Sequence, residues 1–381
     1  MTIGIDIRFL AKGTRTGIEE YALNLLSRLL SADRSVKFKL FYNAFNKAPL
    51  DFPWVSLSNV ELKKFSLPNR FIFDPLAKFC RRPRLDKLLG GADVFFCPHF
   101  LLSPVSGRVK KIVTFHDLSF EYFPEFFPWY KRFWHKTQNP SARAGEADKI
   151  IAVSRSTKND LIEFYGVPEE KIKVIYSGVG EEFKKADLSL EKKKFIRNKY
   201  CLPEEFILYF GTLEPRKNLI GLIKAYEIFR RRIIGKNPPS LVIAGQPGWL
   251  YGDILATAKK SPFTKDIIFT GFIEPADKAC LYNLASFFVY PSFFEGFGFP
   301  PLEAMACGVP VVCSRNSSFP ETAGEAAILV DPYNFGEIAW AMAEIWQDKN
   351  LRDYLVEQGY RQAKKFSWDK CAKETLEFLI S

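Results

Sequence analysis

The sequence predicts an α/β protein built from open, doubly wound parallel sheets, and three observations support this fold class. Short apolar and β-branched runs alternate with helical segments of about 10–15 residues along the whole chain. Most of these runs lack an apolar–polar alternation, as expected where helices cover both faces of a sheet. The length of 381 residues exceeds that of one ordinary hydrophobic core, so we expect two domains.

The first half of the chain is predicted to contain six strands, at 2–7, 37–42, 93–97, 111–115, 149–153 and 173–176. The first run has charged residues within its apolar pattern, so we interpret it as a strand and not as a signal peptide. A helix follows it, because apolar residues recur there at helical spacing: Ile18, Tyr21, Ala22, Leu25, Leu26, Leu29 and Leu30. Another helix is predicted from 156 to 164, ended by Gly166 and Pro168.

The second half is predicted to contain six buried strands, at 206–210, 241–244, 267–270, 287–290, 309–312 and 327–330. A lysine-rich stretch separates the halves, so we place an N-terminal domain at 1–180, a linker at 181–200 and a C-terminal domain at 200–365. Both are predicted to be Rossmann-like. Because open α/β sheets bind ligands beyond the carboxyl ends of their strands, we expect a ligand site in a cleft between facing domains.

Composition excludes several classes of protein. Apolar residues make up 47% and charged residues 25%, so disorder, collagen-like repeats and coiled coil do not describe the chain. The net charge of +11 suggests an anionic partner such as phosphates, lipid headgroups or nucleic acid. The seven cysteines show no Cys-x-x-Cys spacing, so we expect neither a disulfide framework nor a zinc site, and a reducing compartment is favoured.

A glycine-rich loop with two carboxylates is the clearest candidate for a site. It follows the strand 287–290 and contains Glu295 and residues 296–299, and Glu303 falls in the first turns of the next helix. Carboxylates can accept hydrogen bonds from adjacent sugar hydroxyls. The residue types leave an alternative open, in which Glu303 complements the helix dipole and Glu295 is a solvated loop charge.

Arg216 and Lys217 follow the strand 206–210 and begin a helix. Two cations at a helix start oppose the macrodipole, which suggests a bound anion such as a diphosphate between them. The alternative is a solvated Arg–Lys pair.

Three further positions at strand ends are candidates of a weaker kind. His116 and Asp117 follow the strand 111–115, where a polar pair faces the ligand edge of a sheet, although a structural histidine fits equally. Gly13 and Gly17 lie between the first strand and helix, where glycine lets a phosphate or an acceptor approach, or simply forms an ordinary turn. His99, which follows the strand 93–97, is expected to border the acceptor side, and His135 is expected to be solvated.

Several blocks together resemble one family. Glu295 and Glu303 match the E-x7-E motif of the retaining GT4 glycosyltransferases, which have the GT-B fold, and residues 294–312 resemble its mannosyltransferase-type branch. Further family blocks occur in the family's order at 114–117, 151–154, 209–218 and 317–321. The resemblance also implies that a C-terminal helix at about 366–381 returns to the first domain.

The resemblance implies the following roles. Glu295 contacts the transferred sugar, Glu303 holds the donor ribose, and Arg216 and Lys217 bind the donor diphosphate. His116 contacts the donor sugar, while Asp117 and the loop of Gly13 and Gly17 lie near the acceptor or the phosphates. Further donor-binding residues are expected around the loop and the neighbouring strand ends: Gly211, Phe272, Gly296, Phe297, Gly298 and Phe299.

The expected activity is that of a retaining hexosyltransferase with no cofactor, which transfers a sugar from a nucleotide diphosphate donor to a saccharide or lipid-linked acceptor. The branch favours GDP-mannose, although UDP-glucose, UDP-N-acetylglucosamine and dTDP-rhamnose enzymes share these motifs. The sequence lacks Asp-x-Asp, so we expect catalysis without metal. Two alternatives are a nucleotide-sugar epimerase of the same fold and a catalytically silent binding protein.

Two stretches mix large aromatic residues with cations, at 71–84 and 126–136. This composition suits an anionic membrane interface or a lipid-linked acceptor, but it is also common on helices whose cations extend from buried aromatic faces. No nucleic-acid-binding module is recognised. No uncharged stretch is long and apolar enough to cross a bilayer, so we expect a cytoplasmic protein that binds peripherally at the inner membrane face.

Overall fold

The computed structural model describes residues 1–12, 17–44, 52–68, 73–233 and 238–381. They divide into two compact units. Unit 1 comprises Met1–Leu118, Tyr130–Gly178 and Ser367–Ser381, and unit 2 comprises Ser119–Trp129 and Val179–Phe366. The chain therefore enters unit 2 twice and ends in unit 1.

Each unit is built on one parallel sheet. The described residues contain thirteen strands: β1 Thr2–Asp6, β2 Lys37–Asn43, β3 Val60–Phe65, β4 Val94–Cys97, β5 Lys110–Phe115, β6 Lys149–Ala152, β7 Ile172–Val174, β8 Phe206–Phe210, β9 Ser240–Ala244, β10 Ile267–Gly271, β11 Phe287–Tyr290, β12 Val311–Ser314 and β13 Ala327–Val330. The strand order is β3-β2-β1-β4-β5-β6-β7 in unit 1 and β10-β9-β8-β11-β12-β13 in unit 2. Both contain the Rossmann order 3-2-1-4-5-6, so the order reverses between β1 and β4 and between β8 and β11.

Helices connect these strands. The described residues form fifteen of them: α1 Gly17–Ala32, α2 Leu85–Leu88, α3 Ser119–Tyr122, α4 Trp129–Gln138, α5 Pro140–Glu146, α6 Arg155–Tyr165, α7 Leu190–Tyr200, α8 Leu219–Arg232, α9 Gly252–Lys260, α10 Pro275–Leu284, α11 Phe299–Ala306, α12 Phe319–Thr322, α13 Phe335–Gln347, α14 Lys349–Ala363 and α15 Trp368–Ile380. Among the described residues, no helix combines the length and the hydropathy that a membrane span requires.

Burial explains why these segments form these elements. The central strands β8 and β11 are buried along their length, which agrees with their continuous apolar sequence. In α1, six of the seven apolar residues that predicted a helix are buried and Ile18 is half-buried, so this helix prediction is confirmed. At the C-terminus, α15 packs on α1 within unit 1: the rings of Tyr21 and Trp368 are 5.9 Å apart, and Arg28 pairs with Asp369 at 2.9 Å.

Two segments differ from the sequence prediction. The edge strand β3 was not predicted, because Glu61, Lys63 and Lys64 interrupt its apolar pattern, and charges of this kind are typical of sheet edges. Residues 181–200, predicted as a linker, lie within unit 2 and include α7. Its charges lie on an exposed face, whereas Ile196 and Tyr200 are buried. The high density of charged residues in this segment therefore reflects the solvent-exposed face of a helix and not a linker between domains.

Candidate active site

The candidate site in unit 2 lies where the strand order reverses, beyond the carboxyl ends of β8 and β11. The loop after β8 leads through Gly211 to Arg216 and Lys217, and the loop after β11 leads to Glu295. A backbone hydrogen bond of 2.9 Å from Phe293 N to Arg216 O joins the two loops. Ligands of doubly wound sheets bind at such reversal points.

Glu295 is buried and is held by several side chains at once. Its Oε1 accepts hydrogen bonds from Lys217 Nζ at 2.5 Å, Ser292 Oγ at 2.8 Å and Tyr290 Oη at 3.2 Å. Its Oε2 lies 3.2 Å from a guanidinium nitrogen of Arg216. Glu295 is therefore not the solvated loop charge that the residue types left open.

The charges around Glu295 also fix its protonation. Burial by itself raises the pKa of this carboxyl, but the Arg216 guanidinium and the Lys217 ammonium outweigh burial and lower the pKa to about 2. The group is thus an anion at neutral pH, in a place where an unpaired carboxylate would be costly.

Arg216 and Lys217 belong to a short turn that directly precedes α8. Arg216 donates to the carbonyl oxygen of Phe294 at 2.7 Å and to Glu214 Oε1 at 2.9 Å. The Lys217 ammonium is buried and donates to Tyr290 Oη at 2.9 Å. Neither cation is a solvated surface charge. The turn holds two cations at the positive end of a helix dipole, which is the arrangement that binds anions.

Glu303 lies in the first turns of α11 and is almost completely buried. Its Oε1 is 2.7 Å from Lys278 Nζ, and its Oε2 accepts from Tyr282 Oη at 2.8 Å. Both partners lie on α10, one helical turn apart. Burial and the charge of Glu303 together raise the pKa of the Tyr282 phenol well above its usual range, so the tyrosine acts as a hydrogen-bond donor.

Packing of the glycine-rich loop leaves little room for side chains. Gly298 has a φ of 85°, and a Cβ there would come 2.8 Å from the ring of Phe319. Phe297 packs its ring 5.6 Å from that of Phe366 and 5.1 Å from that of Phe299. Since Gly296, Phe297 and Gly298 are buried, the fold anchors this loop through its aromatic side chains.

Two further predicted donor-binding residues lie at neighbouring strand ends. A Cβ at Gly211 would come 2.9 Å from Tyr209 Oη, so a larger residue would press on this buried tyrosine. Phe272 follows β10 directly, and 51% of its surface is exposed. An exposed ring at the ligand edge of the sheet is available to a flat ligand group.

The remaining predicted residues lie in unit 1. His116 follows β5, its Nε2 is 2.8 Å from the carbonyl oxygen of Pro98, and its ring packs edge-on to Tyr21 at 4.8 Å. Burial lowers its pKa, so the imidazole is neutral at pH 7. Asp117 is half-buried beside it, and Gly17 is the exposed first residue of α1. Gly13 lies outside the described residues.

Two other histidines complete this region of unit 1. His99 is buried, and its ring centroid lies 5.8 Å from that of His116. His135 differs from the prediction of a solvated side chain, because it is half-buried beside Trp134, and burial lowers its pKa to about 4.

The sequence did not identify the residues that hold the two glutamates. Tyr290 and Ser292 lie at the carboxyl end of β11. They could have been identified from the sequence, because ligand sites of open α/β sheets lie beyond the carboxyl ends of the strands. Lys278 and Tyr282 share one helix face through their spacing of four residues, but nothing in the sequence assigns that face to Glu303. In the described part of the chain, no group of three or more histidine, cysteine, aspartate or glutamate residues is arranged to hold a metal ion.

Comparisons with known proteins place the chain in a family. The family model described as Glycosyltransferase Family 4 matches residues 15–183, and that described as Glycosyl transferases group 1 matches residues 191–362. The chain is 31% identical over 385 residues to the O-antigen chain mannosyltransferase B of Escherichia coli, with 95% of each chain covered.

Two solved structures share the fold. Sucrose-phosphate synthase from Thermosynechococcus elongatus has a TM-score of 0.76 at 19% identity, covering 99% of this chain and 98% of that chain. Anabaena Alr3699/HepE, in complex with UDP-glucose, has a TM-score of 0.73 at 18% identity, with 100% of both chains covered. The two sheets are those of the GT-B fold, and the chain belongs to family 4 of the glycosyltransferases, where it resembles the mannosyltransferase-type branch.

Proposed function

We propose that this glycosyltransferase transfers a hexose with retention of anomeric configuration, using mannose from GDP-mannose, to a saccharide or lipid-linked glycan. The cluster of Arg216, Lys217 and Glu295 carries the proposal, because it combines two cations suited to a diphosphate with a carboxylate that stays ionised. The choice of mannose is supported by the E. coli relative, whose name describes a mannosyltransferase.

The proposed reaction breaks the bond between the anomeric carbon and the diphosphate oxygen and forms a bond to an acceptor oxygen on the same face. The departing nucleoside diphosphate takes the electron pair, and one of its oxygens takes the proton of the acceptor hydroxyl. Arg216, Lys217 and the start of α8 stabilise the charge that grows on the leaving group. With these cations in place, we propose that the reaction needs neither a metal ion nor a cofactor.

Further residues are assigned to substrate binding. Glu303 accepts from the donor ribose while Lys278 and Tyr282 hold its carboxylate. Gly211, Phe272 and the loop 296–299 line the donor side. In unit 1, His116 contacts the donor sugar, and Asp117 with the glycine-rich loop at 13–17 serves the acceptor side.

The enzyme is proposed to bind peripherally to the cytoplasmic face of an anionic membrane, where it would meet a lipid-linked acceptor. Trp129, Tyr130 and Phe133 on α4 are 75%, 50% and 61% exposed, and Arg132 and Lys136 are exposed on the same helix. Exposed aromatic and cationic side chains together favour an anionic interface. The other aromatic and cationic stretch, at 71–84, also has an exposed aromatic ring, since Phe79 is 79% exposed.

Donor binding tests the proposal first. A nucleotide sugar that binds the folded state raises the melting temperature, so the protein is screened against GDP-mannose, UDP-glucose, UDP-N-acetylglucosamine and dTDP-rhamnose. We expect the largest shift with GDP-mannose and a smaller shift in Lys217→Ala. A larger shift with another donor would overturn the choice of mannose, and no shift with any donor would overturn the donor site.

Transfer tests the reaction. We expect an α-linked mannosyl product from GDP-mannose, identified by the one-bond coupling between the anomeric carbon and its proton in NMR, and full turnover in the presence of a chelator. A β-linked product would overturn retention, and loss of turnover with chelator would overturn metal independence. Conversion of the donor sugar without any acceptor would identify an epimerase instead.

A further inference from the structure

Two buried tyrosines stand side by side at the candidate site and differ mainly in what their hydroxyls bind. Tyr209 is the last residue but one of β8 and Tyr290 is the last residue of β11, and their rings stack with centroids 5.4 Å apart. Both are at most 1% exposed. Tyr209 Oη donates to the backbone oxygen of Thr212 at 3.4 Å, whereas Tyr290 Oη contacts both Lys217 and Glu295.

Tyr290 closes a triangle of hydrogen bonds. Its oxygen accepts from Lys217 Nζ at 2.9 Å, its O–H donates to Glu295 Oε1 at 3.2 Å, and Lys217 also donates to Oε1. A tyrosine on a strand is fixed by two side-chain torsions and by ring packing, whereas a lysine has a flexible four-carbon chain. The Tyr290 hydroxyl is therefore the least mobile of the three groups and holds the other two in place.

This triangle makes the two oxygens of Glu295 unequal. Oε1 accepts from Lys217, Ser292 and Tyr290, which is already more than one donor for each of its two lone pairs. Among the described residues, Oε2 is paired only with Arg216. Oε2 is thus the oxygen with room for a hydroxyl of a bound sugar.

We propose that Tyr290 is a positioning residue for sugar transfer, whose hydroxyl holds Lys217 and Glu295 Oε1 together so that Oε2 faces the donor sugar. The inference rests on the proposed role of Glu295 as the sugar-contacting carboxylate. Tyr290 is too deeply buried to touch substrate, so it acts through its two partners.

Paired substitutions test the inference. Tyr290→Phe and Tyr209→Phe each remove one hydroxyl and keep the stacked ring. Because the carboxylate matters most where positive charge develops on the sugar, we expect Tyr290→Phe to lower kcat about 10-fold and to change the donor KM less than about twofold. Tyr209→Phe is expected to leave both constants within about twofold of the parent.

A purely structural role predicts a different pattern. It would lower kcat equally in both variants, in step with their melting temperatures, and that result would overturn the inference. Tyr290→Phe with the parent's kcat would overturn it as well.

A crystal structure of each ligand-free variant gives a readout independent of turnover. We expect the Glu295 carboxylate to be rotated away from Lys217 in Tyr290→Phe and unchanged in Tyr209→Phe. An unchanged carboxylate in Tyr290→Phe would overturn the positioning role even if the parent enzyme is fully active. If the parent transfers no sugar, the proposed function fails, and the two crystal structures still decide whether Tyr290 positions Glu295.

Discussion

Helices α1 and α8 occupy the same place in their units, since each follows the first strand of a sheet with the same order, yet the charged residues described in and directly before their first turns differ. The first turn of α1 contains Glu19 and Glu20. The first turn of α8 has no acidic residue, and Arg216 and Lys217 directly precede it.

This difference supports placing the proposed anion site in unit 2. In unit 1, two carboxylates in the first turn of α1 complement the positive end of the helix dipole, which stabilises the helix. In unit 2, two cations add to the dipole, and the buried Glu295 is the anion that compensates them in the protein itself. The shared fold does not determine function at this position; the residues placed on it do.

The arginines near the two reversal points show a second contrast. Arg8 follows β1 and binds both carboxylate oxygens of Asp6, at 3.1 Å or less, with Leu102 O and Ser103 Oγ as further partners. Its guanidinium also lies 4.3 Å from the centre of the Phe73 ring. Arg8 is enclosed by partners that fix the local structure, whereas Arg216 and Lys217 are proposed to exchange part of their pairing for a ligand.

The largest expected effect is therefore on stability in unit 1. Arg8→Met leaves the buried Asp6 without its cation, so we expect a loss of about 3–5 kcal/mol in the free energy of unfolding of unit 1, measured by denaturant titration. The control is Arg28→Met, which removes a pair with the exposed Asp369 and should cost much less. Equal losses in the two variants would show that burial of the Arg8 pair is unimportant.

The next effect concerns catalysis in unit 2. Lys217→Ala removes a cation from the departing diphosphate, so we expect kcat to fall about 100–1000-fold, measured with saturating donor. Lys224→Ala, an exposed lysine of α8, is the matched control and should retain activity. Near-normal transfer by Lys217→Ala would contradict the assignment of the site.

Sequence and structure agree where a short-range pattern determines the outcome. Twelve of the strands and helix α1 follow from apolar runs and helical spacing. The sequence also placed Glu295, Arg216 and Lys217 after strand ends, but only the structure shows that these strands, β8 and β11, are neighbours. The partners of the glutamates could not be predicted from the sequence, because Lys278 contacts Glu303 only through the packing of α10 on α11. The same limit applies to His135, because the basic helix around it predicted a solvated side chain and the structure shows a half-buried one.

A smaller effect, on donor binding, is expected from the pair of Glu303 and Lys278 in unit 2. Lys278→Met keeps most of the side-chain volume but removes one of the two donors that hold Glu303, so we expect the donor KM to rise about 10-fold, with a smaller change in kcat. Lys260→Met, an exposed lysine at the end of α9, serves as the control. An unchanged donor KM would mean that Glu303 does not need Lys278 to bind the ribose, or that the ribose binds elsewhere; a structure with bound nucleotide separates these outcomes.

The smallest predicted effect is a difference in pH response between the units, since all three histidines lie in unit 1. Burial lowers the pKa of His135 to about 4 and also lowers the pKa of His116. Between about pH 7 and about pH 6 the unfolded chain therefore takes up protons that the folded state does not, and His135 by itself costs unit 1 less than about 1 kcal/mol. Glu295, whose pKa is lowered to about 2, stays ionised in both states over this range and contributes no change in unit 2. Hydrogen exchange, corrected for intrinsic rates, should show the loss in unit 1. His135→Gln should reduce it, whereas the control Lys136→Gln should not; the same pH dependence in both variants would exclude His135 as its source.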